Sequence, residues 1–430
     1  MESNQTKFKK AYFIGIAGIG MSALAQMMQD HGTEVSGSDR DESPTTDLLA
    51  SKGISVELVQ KAENVPADAD VVVYSEAVPE DHSERARAKE LAIPQHSYFE
   101  MLGMVSVGKK TVAISGTHGK TTTTGMLAKI LRDAGASPSA VVGSIVRDFG
   151  SNYLPGESDL FVVEACEYKN DFRFLAPHIL VVTNIEWDHT DFYASLTEVQ
   201  EAFRNMMEKV PANGAIITDV THPTIAPLLQ GLAAKVIEYA KEPNFEIAFP
   251  GEFNQMNARA AAAAARAAYP AITDEVIRSS IASFEGTWRR FEYKGKTKTG
   301  VDVYDDYAHH PTAVSKTLAE LRKKTMGKVF VAFHPHLFSR TRDLLPEFAN
   351  AFKDADEILI APIFPARELD DGTISNTILA EKISETGKHS RAATFEEIEH
   401  ILSTEPAEGD TIMTMGAGDI YKVADALIKI

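Results

Sequence analysis

Short apolar runs that close on a glycine or a polar residue recur along this chain, and most lead into a stretch of helical periodicity. Lys10–Ile16, Glu34–Ser38 and Asp70–Tyr74 read as strands, with a helix at Gly18–Met28 after the first of them. Val112–Ile114, Leu160–Val163 and Ile179–Thr183 form a second set. Val301–Tyr304, Val329–Phe333, Glu357–Ile360 and Thr411–Met415 form a third, with a helix that Pro311 starts and that runs through Leu321. Apolar strands alternating with helices predict an α/β fold with parallel sheets. One helix stands apart, the alanine-rich run Ala258–Ala268, which can pack close to its neighbours because alanine needs little space.

The strand at Val112–Ile114 carries the most specific signal. It turns at Gly116-Thr117-His118-Gly119 and continues as an amphipathic helix with Met126, Leu127, Ile130 and Leu131 on one side, stopping near Gly135. Strand, glycine turn, lysine, hydroxyl and helix is the layout of a phosphate cradle. Turn amides and the positive helix end face phosphates, Lys120 reaches the terminal ones, and Thr121 can hold a magnesium ion. The strict motif has a glycine where this chain has Ile114, so the loop is a shortened one. The alternative is a glycine turn before an ordinary helix.

Other polar groups fall at strand ends, where open α/β sheets bind ligands. Glu164 closes one strand of the second set and is the first choice as a metal ligand. His189, in Asn184-Ile-Glu-Trp-Asp188-His189, is either a second ligand or one half of a strand-end pair. Asn254 and Asn257 precede the alanine-rich run and either receive a polar ligand or supply its N-cap. The first loop, Gly15-Ile16-Ala17-Gly18-Ile19-Gly20, has alanine where a dinucleotide fingerprint has glycine, and Asp39 lies where a ribose hydroxyl would be met. It suits NAD, a flavin, a nucleotide sugar, or only tight strand–helix packing. In the third set, Arg289-Arg290 is a basic spot, and His309, His310, His334 and His336 lack the spacing of a zinc site. They read as substrate contacts, at least two of them structural.

Composition narrows the class without changing the outline. The length of 430 residues suggests about three domains of ~150 residues, placed at 1–108, 109–285 and 286–430. A net charge of −18 argues against a nucleic-acid surface. The single cysteine, Cys166, excludes an internal disulfide and fits a reducing compartment. A polar N-terminus and the lack of a long apolar run predict no signal peptide, no membrane span and a cytoplasmic location.

Six stretches in order, GIAGIGMS (15–22), SGTHGKTTTT (115–124), EACEY (164–168), TNIEWDH (183–189), GEFNQMN (251–257) and DDYAHHPT (305–312), with WRRFE, HPHLFSRTR and MGAGD, make the chain resemble the Mur ligase family. The resemblance spans nearly the whole sequence. It implies a Rossmann-like N-terminal domain for a UDP-sugar, a central P-loop ATPase-like domain, and a C-terminal Rossmann-like domain closing over ATP and an amino acid. The implied reaction uses ATP and Mg2+ to phosphorylate the lactyl carboxylate of UDP-N-acetylmuramate, and the amine of L-alanine then displaces phosphate. The implied protein is a cytoplasmic monomer or weak homodimer.

Position by position, the resemblance gives the ATP phosphates to Gly116, Thr117, His118, Gly119, Lys120, Thr121 and Thr122. Asn254, Asn257, Asp305 and Tyr307 are implied as further ATP contacts. It gives metal to Thr121, Glu164 and His189, and phosphate to Arg290. The UDP-sugar falls to Gly18, Ile19, Asp39 and Ser75, and the amino acid to His309, His336 and Arg340. Lys120, His189, His309 and Arg290 form the implied catalytic set, His309 or a water taking the amine's proton. The chain departs from the pattern at Ala17 and at Leu337, where a polar or basic residue is frequent. It also has no arginine near His96, and its segment 191–251 is short, which implies a reduced accessory sheet. Rival readings are a sister ligase that attaches the tripeptide L-Ala-γ-D-Glu-diaminopimelate, an idle nucleotide-binding regulator on the same scaffold, and an NAD-dependent oxidoreductase.

Overall fold

A computed structural model describes residues 8–249 and 251–429. Its described strands form three sheets. The first is parallel, in the order Ser55–Glu57, Glu34–Ser38, Lys10–Ile14, Val71–Tyr74, Gln95–Ser97. The chain starts in the middle, runs to one edge, returns and runs to the other. Strand direction therefore reverses its progress beside Lys10–Ile14, and the crevice at that point opens over Gly15 and Ser75.

The second sheet follows the order Lys235–Glu238, Ala215–Thr218, Ile179–Val182, Lys110–Ser115, Leu160–Glu164, Ser139–Val146, Ser151–Leu154. All neighbours are parallel except the last pair, a hairpin the hydrophobic pattern does not announce. Lys110–Ser115 pairs with Ile179–Val182 on one side and Leu160–Glu164 on the other. Register puts Ile114 opposite Glu164 and Ser115 opposite Val182, so three strand ends meet at the glycine loop.

The third sheet follows the order Glu292–Lys296, Asp302–Asp306, Thr411–Gly416, Val329–His334, Glu357–Ile360, His389–Ala392, parallel apart from the first pair. Pairing extends Asp302–Asp306 past the predicted end at Tyr304: Asp305 lies opposite Thr414 and Asp306 opposite Met415. Apolar side chains fill both faces, Val331 and Phe333 among those on one and Phe330 and Ala332 on the other.

The chain packs as two compact units. One holds the first two sheets. The other holds the third sheet together with Trp187–Glu198 and Phe249–Asn254. The predicted central stretch 109–285 is thus interrupted twice. Trp187 packs against the core of the third sheet, which gives the segment its anchor. The alanine-rich helix spans Glu252–Ala268, six residues earlier than its apolar pattern suggests. Asn254 and Asn257 therefore lie inside it, and neither is its N-cap.

Candidate active site

In the first unit, the strand Lys110–Ser115 delivers Gly116 with φ of 131° and Gly119 with φ of 83°, both in the region that favours glycine. A Cβ at Gly116 would lie 2.1 Å from Thr183 Oγ1, and one at Gly119 would lie 2.2 Å from Asn257 Oδ1. The loop is tied to the next strand end. The Thr117 amide donates to Asn184 O at 3.1 Å, and the His118 amide donates to Asn184 Oδ1 at 2.9 Å. Thr117 Oγ1 accepts from the Glu186 amide at 2.8 Å, and Thr183 Oγ1 donates to His118 O at 2.6 Å. The amides of Thr117 and His118 thus serve the loop itself, which corrects the expectation that every amide from Gly116 onward faces phosphate. The amides that open the helix Lys120–Asp133 remain, with no side chain capping them. A helix start without a cap is an anion site by its orphan N–H groups and its dipole.

Lys120 Nζ reaches back over the turn to Gly116 O at 2.5 Å and to Glu167 at 2.9 Å. Burial opposes its charge, but Glu167, Cys166 and Glu164 outweigh burial and hold its pKa above the ordinary lysine value. The same surroundings push the Cys166 thiol up to about 12, through burial first and Glu167 second, so it is a thiol and not a nucleophile at neutral pH. Thr121 Oγ1 donates to Glu164 Oε1 at 3.1 Å, and Glu164 Oε2 accepts from the Gly143 amide at 2.8 Å. A hydroxyl and a carboxylate, adjacent at the helix start, are the oxygen donors a hard divalent cation takes beside phosphates. Asn257, 6% exposed, faces Gly119 and accepts from Thr123 at 3.3 Å, while Asn254, one turn earlier on the helix, is also buried. Thr122 is buried on the helix Lys120–Asp133.

Sequence reading missed Asp171, four residues past Glu167. It sits in a 3-10 segment where Lys169 and Asn170 both take positive φ. Its side chain is buried, with Oδ2 lacking a hydrogen-bond partner. Burial, with Glu76 next, raises its pKa to about 7. The folded protein therefore binds a proton there that the unfolded chain loses near pH 4, so this group lowers stability progressively as pH rises from about 4 to 7. Asp171→Asn is expected to stabilise the protein by about 1–2 kcal/mol at pH 8 and by almost nothing at pH 4. Urea denaturation at the two pH values measures the difference.

The first loop has its own acid. Asp39 Oδ2 accepts the Ala17 amide at 2.8 Å, so this carboxylate shapes the turn as well as facing the crevice. Gly15, φ 79°, lies against Ser75, whose Cβ is 3.1 Å from where a Cβ on the glycine would stand. Gly18 opens the helix Ile19–Asp30 without a side-chain cap. Gly18, Ile19, Asp39 and Ser75 thus all adjoin the turn that follows Lys10–Ile14.

In the second unit, Asp305 is fully buried. It accepts from Arg289 Nε at 2.8 Å and from Thr414 Oγ1 at 2.6 Å. The expectation that it meets adenosine is corrected: no surface is left for a ligand, and Asp305 acts through Arg289. Arg289 Nη1 and Nη2 donate to Gly418 O and Gly416 O. Arg289 and Phe291 both have positive φ, which the Phe291 amide helps to hold by donating to Asp306 Oδ2 at 2.7 Å. Arg290 lies between them with its guanidinium 5.0 Å from the centre of the Tyr307 ring. The glycines of MGAGD have a packing reason as well, since a Cβ on Gly418 would lie 2.4 Å from the ring of His334.

A second buried pair lies among the histidines. Arg340 Nε donates to Asp188 Oδ1 at 2.7 Å, and Arg340 Nη1 meets His336 Nδ1 at 2.8 Å. Burial opposes the Asp188 charge, yet Arg340, His189, His310 and His309 hold its pKa well below the ordinary range. Burial and Arg340 hold His309 and His336 well below the ordinary histidine value, so both imidazoles are neutral at pH 7. His309 Nδ1 is 3.0 Å from Tyr307 O, which fixes the proton on Nδ1 and leaves Nε2 as an acceptor. His189 has φ of 54°, its amide donates to Asp188 at 2.7 Å, and its carbonyl accepts from Phe192 and Tyr193. Asp188 is the residue that sequence reading passed over. Its only signal was its place beside His189.

Comparison with known proteins adds an independent finding. Residues 10–110 match the model described as Mur ligase family, catalytic domain. Residues 114–245 match the Mur ligase middle domain, and residues 289–418 the Mur ligase glutamate ligase domain. A UDP-N-acetylmuramate–L-alanine ligase of Clostridium kluyveri is 37% identical across 98% of both chains. One of Lachnospira eligens is 38% identical across 97% of both. Among solved structures, the UDP-N-acetylmuramate–alanine ligase of Thermotoga maritima aligns with a TM-score of 0.80 at 26% identity over 98% of each chain. A murein peptide ligase of Psychrobacter arcticus aligns with a TM-score of 0.75 at 22% identity, which shows a shared fold.

Proposed function

Because the chain belongs to the Mur ligase family, we propose that it joins L-alanine to the lactyl carboxylate of UDP-N-acetylmuramate, consuming ATP, in peptidoglycan precursor synthesis. The observation that carries this reading is the full-length likeness to alanine ligases at 37–38% identity. The site chemistry agrees with it.

A carboxylate is a poor electrophile, and phosphorylation gives it a leaving group. Two anions, the carboxylate and ATP, have to approach each other, and positive charge offsets their repulsion. Lys120 and the amides that open its helix face the ATP phosphates. Thr121 and Glu164 would hold Mg2+, which when bound would screen phosphate charge. Arg290, fixed by its strained neighbours and by Tyr307, offers a further cation to phosphate. The amine of alanine attacks the acyl phosphate and phosphate leaves. His309 Nε2 is the acceptor placed for the amine's proton. Gly18, Ile19, Asp39 and Ser75 line the crevice that suits the UDP moiety.

Phosphate release from ATP and Mg2+ with UDP-N-acetylmuramate tests the reading. Turnover is expected with L-alanine and not with L-Ala-γ-D-Glu-diaminopimelate. The reverse pattern would move the protein to the tripeptide ligase, and silence with both would favour an idle scaffold.

A further inference from the structure

A ligation that runs through an acyl phosphate needs two reactants held at one spacing. The carboxylate sits on the sugar nucleotide, and the transferred phosphate sits on ATP. The residues given to the first, Gly18, Ile19, Asp39 and Ser75, belong to the first sheet, its loops and its helix Ile19–Asp30. Those given to the second, residues 116–122 with Glu164, belong to the second sheet and its helix Lys120–Asp133. Both sheets lie in one compact unit, so a joint within that unit sets how far apart the two reactants stand. Misplacing a reactant by about 1 Å costs about 10²-fold in rate, which makes such a joint part of the chemistry.

The hairpin of Ser139–Val146 and Ser151–Leu154, at the edge of the second sheet, touches both sides. Its first strand reaches the phosphate loop. The Gly143 amide donates to Glu164 Oε2 at 2.8 Å, and a Cβ on Gly143 would lie 2.3 Å from that oxygen. Its second strand reaches the helix Ile19–Asp30 of the first sheet. Asn152 Nδ2 donates to Ile19 O and, at 2.8 Å, to Ser22 Oγ, while its Oδ1 accepts from Gln26 Nε2 at 2.9 Å. Gln26 Nε2 also donates to Ser22 O at 3.0 Å, and Gln26 Oε1 accepts from Ser151 Oγ at 3.0 Å. Both side-chain amides use their oxygen and both N–H groups, which leaves one orientation for each. Asn152 is 0% exposed, and Ser22, Gln26 and Ser151 are buried beside it. Its reach toward a ligand therefore runs through Ile19, which opens a helix whose first amides no side chain caps.

We propose that this hairpin sets the spacing between the sugar-nucleotide site and the phosphate loop, and that Asn152 is the positioning residue that locks it. The assignment rests on the ligase reading. The turn after Lys10–Ile14 is held by Ser38 O and Asp39, and the phosphate loop by Thr183 and Asn184. Loss of Asn152 therefore leaves each site able to bind its own substrate and disturbs their alignment. Asn152→Ala is expected to lower kcat with L-alanine about 10²-fold. Titration calorimetry should give wild-type dissociation constants for UDP-N-acetylmuramate alone and for AMP-PNP with Mg2+ alone. Asn152→Ala with Gln26→Met removes both buried amides, and should recover stability to urea without recovering kcat. A merely structural asparagine would lower stability and leave kcat in place. Ser22→Ala keeps the bond from Asn152 to Ile19, and carries the test if Asn152→Ala does not fold. Its kcat should fall in the same direction by about 5-fold. With an active wild type, a kcat within about 2-fold of it in whichever of Asn152→Ala and Ser22→Ala carries the test overturns the assignment. So does recovery of kcat in the double variant, or loss of UDP-N-acetylmuramate binding in Asn152→Ala. Each of these leaves the ligase reading standing. A wild type that does not turn over with alanine overturns both.

Discussion

Lys120→Ala is expected to lower kcat/KM for ATP-dependent ligation by about 10³-fold, while the protein stays folded. The ammonium is the lysine side chain at the glycine turn. It is held over that turn by Gly116 O and Glu167, so it is already placed where phosphate charge would develop. Its removal also breaks the buried Lys120–Glu167 pair from one side, which costs about 3–5 kcal/mol. The two effects separate in a double variant. Lys120→Ala with Glu167→Gln should recover stability, measured by urea denaturation, without recovering phosphate release. A single variant that keeps more than a tenth of wild-type activity would contradict the role given to Lys120.

The largest expected loss of stability lies in the other unit. Asp305→Ala should destabilise it by about 3–5 kcal/mol, because Arg289 then stays buried with its charge uncompensated. Burial outweighs Arg289 and lifts the Asp305 carboxyl above its ordinary range, so the pair is costly to form and more costly to break. Arg289 also bonds two carbonyls of the Gly416–Gly418 turn, and its loss of alignment would free the strained segment that carries Arg290. Guanidinium denaturation of Asp305→Ala, Arg289→Met and the Asp305→Leu, Arg289→Met double variant measures this. The double variant is expected to be more stable than either single one, since it removes both charges together. Equal stability of wild type and Asp305→Ala would show that the pair carries no such load.

The two substitutions mark how far residues can be read one at a time. The role of Lys120 is legible from local order, because a strand, a glycine turn, a lysine and a hydroxyl in register constrain one another within a few residues. Asp305 looks equally exposed in the sequence, at the end of an apolar run before two histidines. Its burial comes from pairing with Thr411–Gly416, more than a hundred residues away along the chain. Arg340 shows the same dependence on the distant chain: a carboxylate from a remote segment, Asp188, holds its Nε.

Similar reasoning covers the fold. Parallel strands buried on both faces leave apolar marks, and the ten strands read from the sequence lie within a few residues of their predicted ends. The missed strands include the hairpin Ser139–Val146 with Ser151–Leu154, the short or partly exposed strands Ser55–Glu57, Gln95–Ser97, Lys235–Glu238 and His389–Ala392, and the short buried strand Ala215–Thr218. Sequence order likewise hid that Trp187–Glu198 packs with the third sheet.

The amino-acid sequence by itself determined the α/β class, the phosphate loop, the family and the order of its parts, because each depends on periodicity or on residues close together in the chain. Only the tertiary structure decided which charges are paired. It placed Asp188 on Arg340, Asp191 on Arg367 and Glu167 on Lys120, and it left Asp171 buried with a raised pKa. Charge pairing over long separations depends on distances and burial that no local pattern encodes.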